Sequence, residues 1–246
     1  MRFIMNIFKT APKFIQGYIE TLKFNSLIPT LKKLREEGKI EEEKALINKG
    51  QKQWIEAVSK KLNITFEVIG EENIPDKSPF MVYSNHQSFA DIPAFLWLFK
   101  DHCQIGYVAK EEWRKYKVLN NAITYTRSIF LVRDNPREAI RALNEAKEVL
   151  DLGFNLVIYP EGTRSKRHEM GEFKPAAFKF AEKAKVPILP VTLDGGYKLF
   201  EEKGSYQPCH IKITVHPMVH IEQMNKQEQK QAAIDIEKTI RDALDN

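Results

Sequence analysis

A histidine and an aspartate stand five positions apart in the stretch Tyr83-Ser84-Asn85-His86-Gln87-Ser88-Phe89-Ala90-Asp91. Five residues of a regular helix advance about 500°, so the two side chains would point roughly 140° apart and could not meet. If His86 instead comes from a loop and Asp91 from a helix's first turn, the carboxylate can accept from one imidazole nitrogen. The other nitrogen then stays free to take a proton. The predicted chemistry is that of a general base, His86, oriented by Asp91.

The flanking residues predict that a strand turns into a helix at this point. Residues 79–83 form a short apolar run typical of a buried strand, and residues 92–99 are apolar, with Pro93 where proline suits a helix's first turn. No Gly-x-Ser-x-Gly motif accompanies the pair, so the predicted nucleophile is a substrate hydroxyl. The alternative is a histidine that caps the helix, with Asp91 an ordinary carboxylate in the helix dipole.

Two basic residues and a polar loop also follow predicted strands. Lys110 follows residues 104–109, Arg133 follows residues 128–132, and Pro160-Glu161-Gly162-Thr163-Arg164-Ser165 follows residues 154–159. In a parallel sheet these positions converge with His86 on one edge. Arginine's planar fork matches phosphate, lysine adds a point charge, and Gly162 lets the loop backbone approach a ligand. Together they predict an anionic substrate, although each cation alone also fits an ordinary surface position.

Strand and helix patterns alternate along the rest of the chain. Apolar runs at 186–193 and 211–215 predict further strands, and residues 63–70 alternate like a strand. Helices are predicted over 111–119, from the cap Asp134-Asn135-Pro136 to Gly153, over 174–185 and over 226–244. This order predicts an α/β fold with a mostly parallel central sheet flanked by helices, over residues 63–246.

The first 62 residues are predicted to form a helical membrane-anchoring region. Residues 1–35 carry seven basic residues and one acidic residue, whereas the other 211 carry 31 basic and 32 acidic residues. Large apolar residues recur there near helical spacing, with Pro12 and Pro29 expected to break the pattern, and residues 36–62 predict a second helical region. No uncharged run reaches the roughly 18 residues that span a bilayer. An amphipathic anchor in one leaflet fits best, and an ordinary packing helix is the alternative.

Composition also bounds the partners and the cofactors. The excess positive charge lies at one end of the chain, without a recognisable reading helix, so nucleic acid is not an expected partner. Cys103 and Cys209 have no metal-ligand spacing, which predicts no metal site and fits a reducing compartment.

Two motifs in this order resemble the glycerolipid acyltransferases that contain a His-x4-Asp motif, closest to the bacterial 1-acylglycerol-3-phosphate acyltransferases. The motifs are Asn85-His86-x-x-x-x-Asp91 and, about 75 residues later, Tyr159-Pro160-Glu161-Gly162-Thr163-Arg164-Ser165. The resemblance covers about residues 65–220 and includes Ser128-Ile129-Phe130-Leu131-Val132-Arg133 and Val186-Pro187-Ile188-Leu189-Pro190-Val191. The chain departs from the family at Arg127, where the middle motif usually opens with glycine.

The resemblance implies acyl transfer to lysophosphatidate. His86 would deprotonate the free 2-hydroxyl of 1-acyl-glycerol 3-phosphate, which would attack a thioester of acyl carrier protein or coenzyme A, with Asp91 holding the imidazole. Arg164, Lys110 and Arg133 would clamp the phosphate, and Glu161 would order its loop or bind the glycerol backbone. The substrate-binding set that it implies is Lys110, Phe130, Arg133, Glu161, Gly162, Thr163 and Arg164.

The same resemblance implies the setting of the reaction. No metal or redox cofactor is expected, and the enzyme would work on the cytoplasmic face of the cell membrane. Whether acyl carrier protein or coenzyme A carries the acyl group stays open, so acyl carrier protein is a partner only in the first case. Glycerol 3-phosphate or another lysophospholipid stays open as the acceptor. A hydrolase that uses His86 to activate water, or a catalytically silent lipid-binding protein, is the alternative from another class.

Overall fold

The fold is an α/β fold built on one sheet, as the alternating pattern predicted. The computed structural model describes residues 2–132 and 135–245, with side chains from residue 10 onward. Within that part of the chain, seven strands pair in the order β1-β7-β6-β2-β5-β3-β4. They are β1 (Ile64–Ile69), β2 (Met81–Ser84), β3 (Gly106–Lys110), β4 (Ile129–Leu131), β5 (Leu156–Ile158), β6 (Ile188–Asp194) and β7 (Cys209–Val215).

Strand β2 lies at the centre of this sheet and carries the chain toward the predicted chemistry. It pairs in parallel with β5 through Met81↔Leu156 and with β6 through Met81↔Ile188. The other pairs are also parallel, except that β7 runs antiparallel to β6. The strands β2, β3, β4, β5 and β6 therefore all end at the same edge of the sheet, and the loops that follow them can meet there.

Helices cover both faces of the sheet. They are α1 (Arg2–Asn25), α2 (Ile28–Glu36), α3 (Ile40–Lys61), α4 (Asp91–Phe99), α5 (Lys117–Tyr125), α6 (Pro136–Asp151), α7 (Pro175–Ala184) and α8 (Lys226–Asp245). Met81 and Tyr83 of β2 are buried in a cluster with α6, α7 and α8, whereas Val82 is buried in a second cluster with α4. Both faces of β2 are covered, which agrees with the unbroken apolar run Phe80-Met81-Val82-Tyr83 that precedes Ser84.

Two of the predicted helix boundaries were wrong. Pro12 lies inside α1 and does not divide it, because proline removes a single helical hydrogen bond and the helix has other support: Asn25 bonds the Val118 carbonyl at 3.0 Å and Thr21 accepts from Trp54 at 3.1 Å. The second error concerns residues 111–119. A short 3-10 helix, Glu111–Lys115, ends at the extended residue Tyr116 before α5 begins.

Helix α3 joins the N-terminal helices to the sheet. Its Gln51 side chain donates to the Ile105 carbonyl at 2.6 Å and accepts from the Ile105 N–H at 3.1 Å, just before β3. Ile47 and Ile55 are fully buried, one in each apolar cluster. The division into residues 1–62 and 63–246 stays a prediction.

Helix α1 presents an apolar face to the surroundings. Five large side chains are between 44% and 56% exposed and follow helical spacing: Phe14, Ile15, Tyr18, Ile19 and Leu22. None of the helices in the described part of the chain combines the length and hydropathy that a membrane span needs.

Much of the positive charge of this region is paired within the fold. Nζ of Lys32 lies 3.8 Å from Oε1 of Glu36, and Nζ of Lys33 lies 3.8 Å from Oε1 of Glu37, the residue after α2. Nζ of Lys23 lies 2.9 Å from Oε1 of the buried Glu20. The unpaired positive charge of the N-terminal helices is therefore smaller than the excess counted over residues 1–35.

Candidate active site

His86 and Asp91 meet at the carboxyl end of β2. The strand ends at Ser84, the backbone is irregular over residues 85–90, and Asp91 is the first residue of α4. Nδ1 of His86 lies 2.7 Å from Oδ2 of Asp91. This is the loop-and-first-turn arrangement that the spacing required, because a continuous helix would have separated the two side chains.

The Asp91 carboxylate is fully buried and fixed by converging donors. Oδ2 accepts from the backbone N–H groups of Gln87 at 2.8 Å and Ser88 at 2.9 Å as well as from His86. Oδ1 has no hydrogen-bond partner among the described residues, and a Cβ built on Gly196 would stand 2.8 Å from it. The three donors therefore hold the carboxylate on one oxygen, and the glycine backbone closes the other side.

The imidazole of His86 has one nitrogen held by Asp91 and the other free of protein partners among the described residues. A carboxylate only accepts hydrogen bonds, so Nδ1 carries the proton that Asp91 receives and Nε2 keeps its lone pair. Within the described residues Nε2 has no protein partner, and the side chain is 19% exposed. The Tyr159 ring stacks on the imidazole with centroids 3.9 Å apart and planes 13° apart. Burial raises the pKa of the Tyr159 hydroxyl well above its usual value, so this ring stays neutral.

Glu161 ties the loop after β5 to the histidine loop. Its Oε1 accepts from the His86 N–H at 2.6 Å, and its Oε2 accepts from the Gly171 N–H at 2.7 Å. Two further backbone bonds join the loops, from Ser165 to the His86 carbonyl at 2.7 Å and from Lys166 to the Gln87 carbonyl at 3.1 Å. Burial raises the pKa of Glu161, and the two backbone donors oppose that rise. Glu161 thus joins the two loops through its two oxygens, and its predicted contact with the substrate stays a prediction.

Arg164 lies beside the histidine loop, held by an acid and an aromatic ring. Its Nη1 donates to Oε1 of Glu201 at 2.8 Å, and its guanidinium carbon lies 3.6 Å from the centroid of the Phe89 ring. Nε and Nη2 have no acceptor among the described residues. The guanidinium therefore has a fixed plane and two nitrogens that can meet an anion.

The remaining predicted site residues are placed less centrally. Lys110 ends β3 and pairs with Glu112 at 3.5 Å, and no described contact joins it to Arg164 or to the dyad. Gly162 adopts φ +70°, a left-handed conformation that favours glycine, and the side chain nearest to it is that of Lys174. Thr163 is exposed on the same loop. Phe130 is buried in β4 beneath Arg114, whose guanidinium carbon is 3.9 Å from the ring centroid.

Arg133 lies outside the described residues, so its place in the candidate site stays a prediction. Among the residues that are described, no three histidine, cysteine or carboxylate side chains come together as metal ligands.

Arg127 occupies the position where the resembling family carries glycine. Its φ is +58°, the left-handed conformation in which glycine is favoured. Nε and Nη2 contact the two oxygens of the buried Glu43 at 2.8 and 2.5 Å, and Arg35 reaches the same carboxylate at 2.7 Å. The ion pair with Glu43 of α3 therefore holds Arg127 in this conformation.

A cleft of about 290 Å³ opens beside the edge strand β4, away from the dyad. Its lining includes Arg35, Arg127 and Arg114, and each of these arginines is already paired with a glutamate. Neither His86 nor Asp91 lines it.

Two residues of the site were not assigned a role from the sequence. Tyr159 stands inside the second motif, and its position directly before Pro160 was the available signal. Glu201 lies 37 residues from its partner Arg164, in a lysine- and glutamate-rich stretch with no motif. Only the fold brings it to the histidine loop.

The fold and this site define a class of α/β protein in which a buried aspartate orients a histidine at the carboxyl edge of a mostly parallel sheet. A family model described as Acyltransferase matches residues 65–194, which hold both His86 and Asp91 and the Glu161–Arg164 motif. The chain belongs to this Acyltransferase family.

Curated relatives and a solved structure resemble the chain beyond these motifs. It is 32% identical over 154 residues to a chloroplastic 1-acyl-sn-glycerol-3-phosphate acyltransferase of Arabidopsis thaliana, covering 61% of this chain and 42% of that protein. It is 30% identical over 164 residues to the 1-acyl-sn-glycerol-3-phosphate acyltransferase of Borreliella burgdorferi, covering 66% of this chain and 65% of that one. The chain thus spans less than half the length of the Arabidopsis relative.

The crystal structure of the 1-acyl-sn-glycerophosphate acyltransferase PlsC from Thermotoga maritima has the same fold. The two chains superpose with a TM-score of 0.80 at 28% identity, over 100% of this chain and 97% of the other. The likeness therefore includes the N-terminal helices as well as the sheet.

Proposed function

We propose that this protein transfers a fatty acyl group from a thioester of acyl carrier protein or coenzyme A to the free 2-hydroxyl of 1-acyl-glycerol 3-phosphate, giving phosphatidate. The observation that carries the proposal is the bond of 2.7 Å between Nδ1 of His86 and Oδ2 of the buried Asp91, which leaves Nε2 free. The names of the relatives, given above, support the choice of acceptor.

In this transfer a single nitrogen, Nε2 of His86, first accepts a proton and later gives it up. Nε2 of His86 takes the proton of the acceptor hydroxyl while that oxygen attacks the thioester carbonyl carbon. Asp91 stabilises the imidazolium that forms and keeps its ring in place. The carbon–sulfur bond then breaks, and the departing sulfur receives the same proton as a thiol. The protein needs no nucleophile of its own, and the transfer as written needs no metal or redox cofactor.

The acceptor phosphate binds at Arg164 in this proposal. Nε and Nη2 of the guanidinium are free of protein acceptors among the described residues, and the stacked Phe89 ring keeps the guanidinium plane fixed. A charge-assisted hydrogen bond of this kind contributes about 1.5–3 kcal/mol. Lys110, at the end of β3, adds charge but contributes less because Glu112 already accompanies it, and Arg133 belongs to the clamp as a prediction from the sequence.

Helix α1 holds the enzyme on one leaflet, at the cytoplasmic face where the thioester donors occur. Its five half-exposed apolar side chains would gain roughly 4–7 kcal/mol on burial in the interface, before ordering costs. The apolar face supplies more of this attachment than charge does, because Lys23, Lys32 and Lys33 already have acidic partners. The lysolipid acceptor then reaches the site without leaving the bilayer.

The test is acyl transfer from an isotope-labelled acyl thioester to a panel of acceptors, with products identified by mass. The panel holds 1-acyl-glycerol 3-phosphate, glycerol 3-phosphate, lysophosphatidylcholine and no acceptor. Labelled phosphatidate as the dominant product is the expected result. Faster transfer to another acceptor would reassign the substrate, and thioester cleavage that is indifferent to every acceptor would indicate a hydrolase.

A further inference from the structure

Glu201 is a buried carboxylate that contacts the candidate site from a segment outside both motifs. Its side chain is 4% exposed, and it follows a short 3-10 helix, Gly196–Leu199, after β6. The family match ends at residue 194, so this segment is not part of the matched region. A buried carboxylate is costly unless its oxygens are hydrogen-bonded, which makes its partners informative.

The partners of Glu201 come from both loops of the site. Oε1 accepts from Arg164 at 2.8 Å and from the Phe89 N–H at 3.2 Å, and Oε2 accepts from the Ser88 hydroxyl at 2.7 Å. The Ser88 hydroxyl oxygen in turn accepts from the Ala90 N–H at 3.0 Å, directly before Asp91. One carboxylate thus joins the arginine loop to the turn that presents the dyad.

We infer that Glu201 is a positioning residue that sets the direction of the Arg164 guanidinium and so determines the affinity for the acceptor's phosphate monoester. This inference rests on the proposed function. An arginine side chain has many rotamers, and binding an anion requires one of them. Glu201 fixes Nη1 while Phe89 fixes the plane, so Nε and Nη2 are preorganised before the acceptor arrives. Glu201 itself does not contact the substrate.

Glu201 can act on phosphate binding in two opposite ways. The direction in which phosphate affinity changes when Glu201 is removed therefore decides between them. A carboxylate beside Arg164 cancels part of its charge, and its removal would then strengthen phosphate binding. Preorganisation predicts weaker binding after removal. The two effects give shifts in opposite directions.

The experiment compares Glu201→Ala and Glu201→Gln with Glu202→Ala, whose side chain is exposed on the neighbouring position. Transfer is measured against 1-acyl-glycerol 3-phosphate concentration, and thioester cleavage is measured without acceptor. We expect Glu201→Ala to raise the acceptor KM roughly tenfold or more, since one charge-assisted contact is lost. Glu201→Gln should recover part of this loss because its amide oxygen still accepts from Nη1. The Glu202→Ala variant should stay within about twofold to threefold of wild type. Acceptor-free cleavage reports any separate change at the dyad, and thermal unfolding identifies a misfolded variant.

The double variant Arg164→Ala/Glu201→Ala separates positioning from a general structural effect. If Glu201 acts through Arg164, its removal adds almost nothing to the acceptor KM once Arg164 is absent. A lowered acceptor KM in Glu201→Ala, an unchanged one, or full additivity in the double variant would overturn the inference.

Hydrogen exchange of the loops tests the positioning independently of the acceptor. In Glu201→Ala, exchange should rise over residues 86–91 and 161–166, and it should not change in Glu202→Ala. If wild type acylated no lysophosphatidate while exchange rose as expected, the proposed function would fail and the positioning of Arg164 would stand. If wild type is active but Glu201→Ala changes neither exchange nor the acceptor KM, the positioning role of Glu201 is wrong and the proposed function stands.

Discussion

Arg127 and Glu43 form a two-point ion pair between the turn before β4 and helix α3, with N–O distances of 2.5 and 2.8 Å across 84 residues of sequence. Glu43 is fully buried and Arg127 has φ +58°. The pair thus combines a backbone conformation unfavourable for arginine with a buried carboxylate that needs a cation.

Arg127→Gly should reveal the balance between these two effects. Glycine relieves the left-handed strain, worth about 1 kcal/mol, but leaves buried Glu43 with Arg35 alone, so we expect a net loss of roughly 1–3 kcal/mol in unfolding free energy. Lys185→Gly is the matched control, because φ there is +56° and no ion pair involves this lysine among the described residues. That control should be neutral or stabilising in urea unfolding. A stabilised Arg127→Gly would mean that the ion pair contributes little.

His86→Ala should reduce acyl transfer by at least about 10²-fold with the fold intact, because general-base catalysis contributes about 10²–10⁴-fold. Asp91→Asn should also lose most of the rate. The neutral amide cannot stabilise the imidazolium as the carboxylate does, and it holds the imidazole less firmly. Steady-state transfer rates and circular dichroism are the measurements. Retention of more than about a tenth of wild-type turnover by His86→Ala would contradict the general-base role.

Arg164→Ala should weaken use of the acceptor far more than use of the donor. Loss of one charge-assisted contact of about 2 kcal/mol corresponds to roughly 30-fold in kcat/KM for lysophosphatidate. Arg167→Ala is the matched control, because Arg167 is exposed and its partner Glu169 is 3.5 Å away. Lys110→Ala should have a milder effect. Equal losses for Arg164→Ala and Arg167→Ala would place the phosphate elsewhere.

Replacing Phe14, Ile15 and Ile19 of α1 with serine should release the protein from lipid vesicles in a flotation assay. The replaced side chains are exposed, so the sheet should stay folded, and activity should fall more on bilayer substrate than on dissolved short-chain substrate. Serine at the exposed Ile140 and Ile234 is the control and should leave flotation unchanged. Because much of the nearby positive charge is paired, binding should depend only weakly on salt. Full retention of the triple variant on vesicles would refute the anchor.

His216 should make the fold less stable in mild acid. Thr192 donates to the Ile240 carbonyl at 3.1 Å and so accepts from Nε2 of His216 at 2.8 Å, and burial lowers the pKa of this imidazole. The unfolded chain then binds a proton more readily, so unfolding free energy should fall as pH drops below about 6.5. His216→Gln should remove this component. Urea unfolding at pH 7.5 and 5.5 tests it, and an identical pH dependence in both proteins would exclude His216 as the cause.

The sequence was informative where a residue's environment is decided locally or by simple burial. The apolar run at 154–159 predicted a strand, and β5 lies there, buried between β2 and β3. The spacing of His86 and Asp91 predicted their contact, since both belong to one strand–helix junction.

Long-range pairings could not be predicted in the same way. Nothing local to the first turn of α3 indicates that Glu43 is buried, and it is buried because the fold brings Arg127 to it. Arg164 was predicted to bind the phosphate without any protein partner being named, and its contact with Glu201 depends on the path of the chain after β6. The continuity of α1 through Pro12 likewise depends on helices with which it packs, which local propensity does not describe.

The close approach of Gly196 to Asp91 matters for predicting which related sequences encode active enzymes. A methyl group at this position would press on Oδ1 of Asp91, although position 196 belongs to neither motif and follows the matched region. A homologous chain could therefore display both motifs intact and still be an inactive enzyme, if a bulkier residue stood here and turned the carboxylate away. Checking this one position would help to separate working members of the family from inactive ones in sequence surveys.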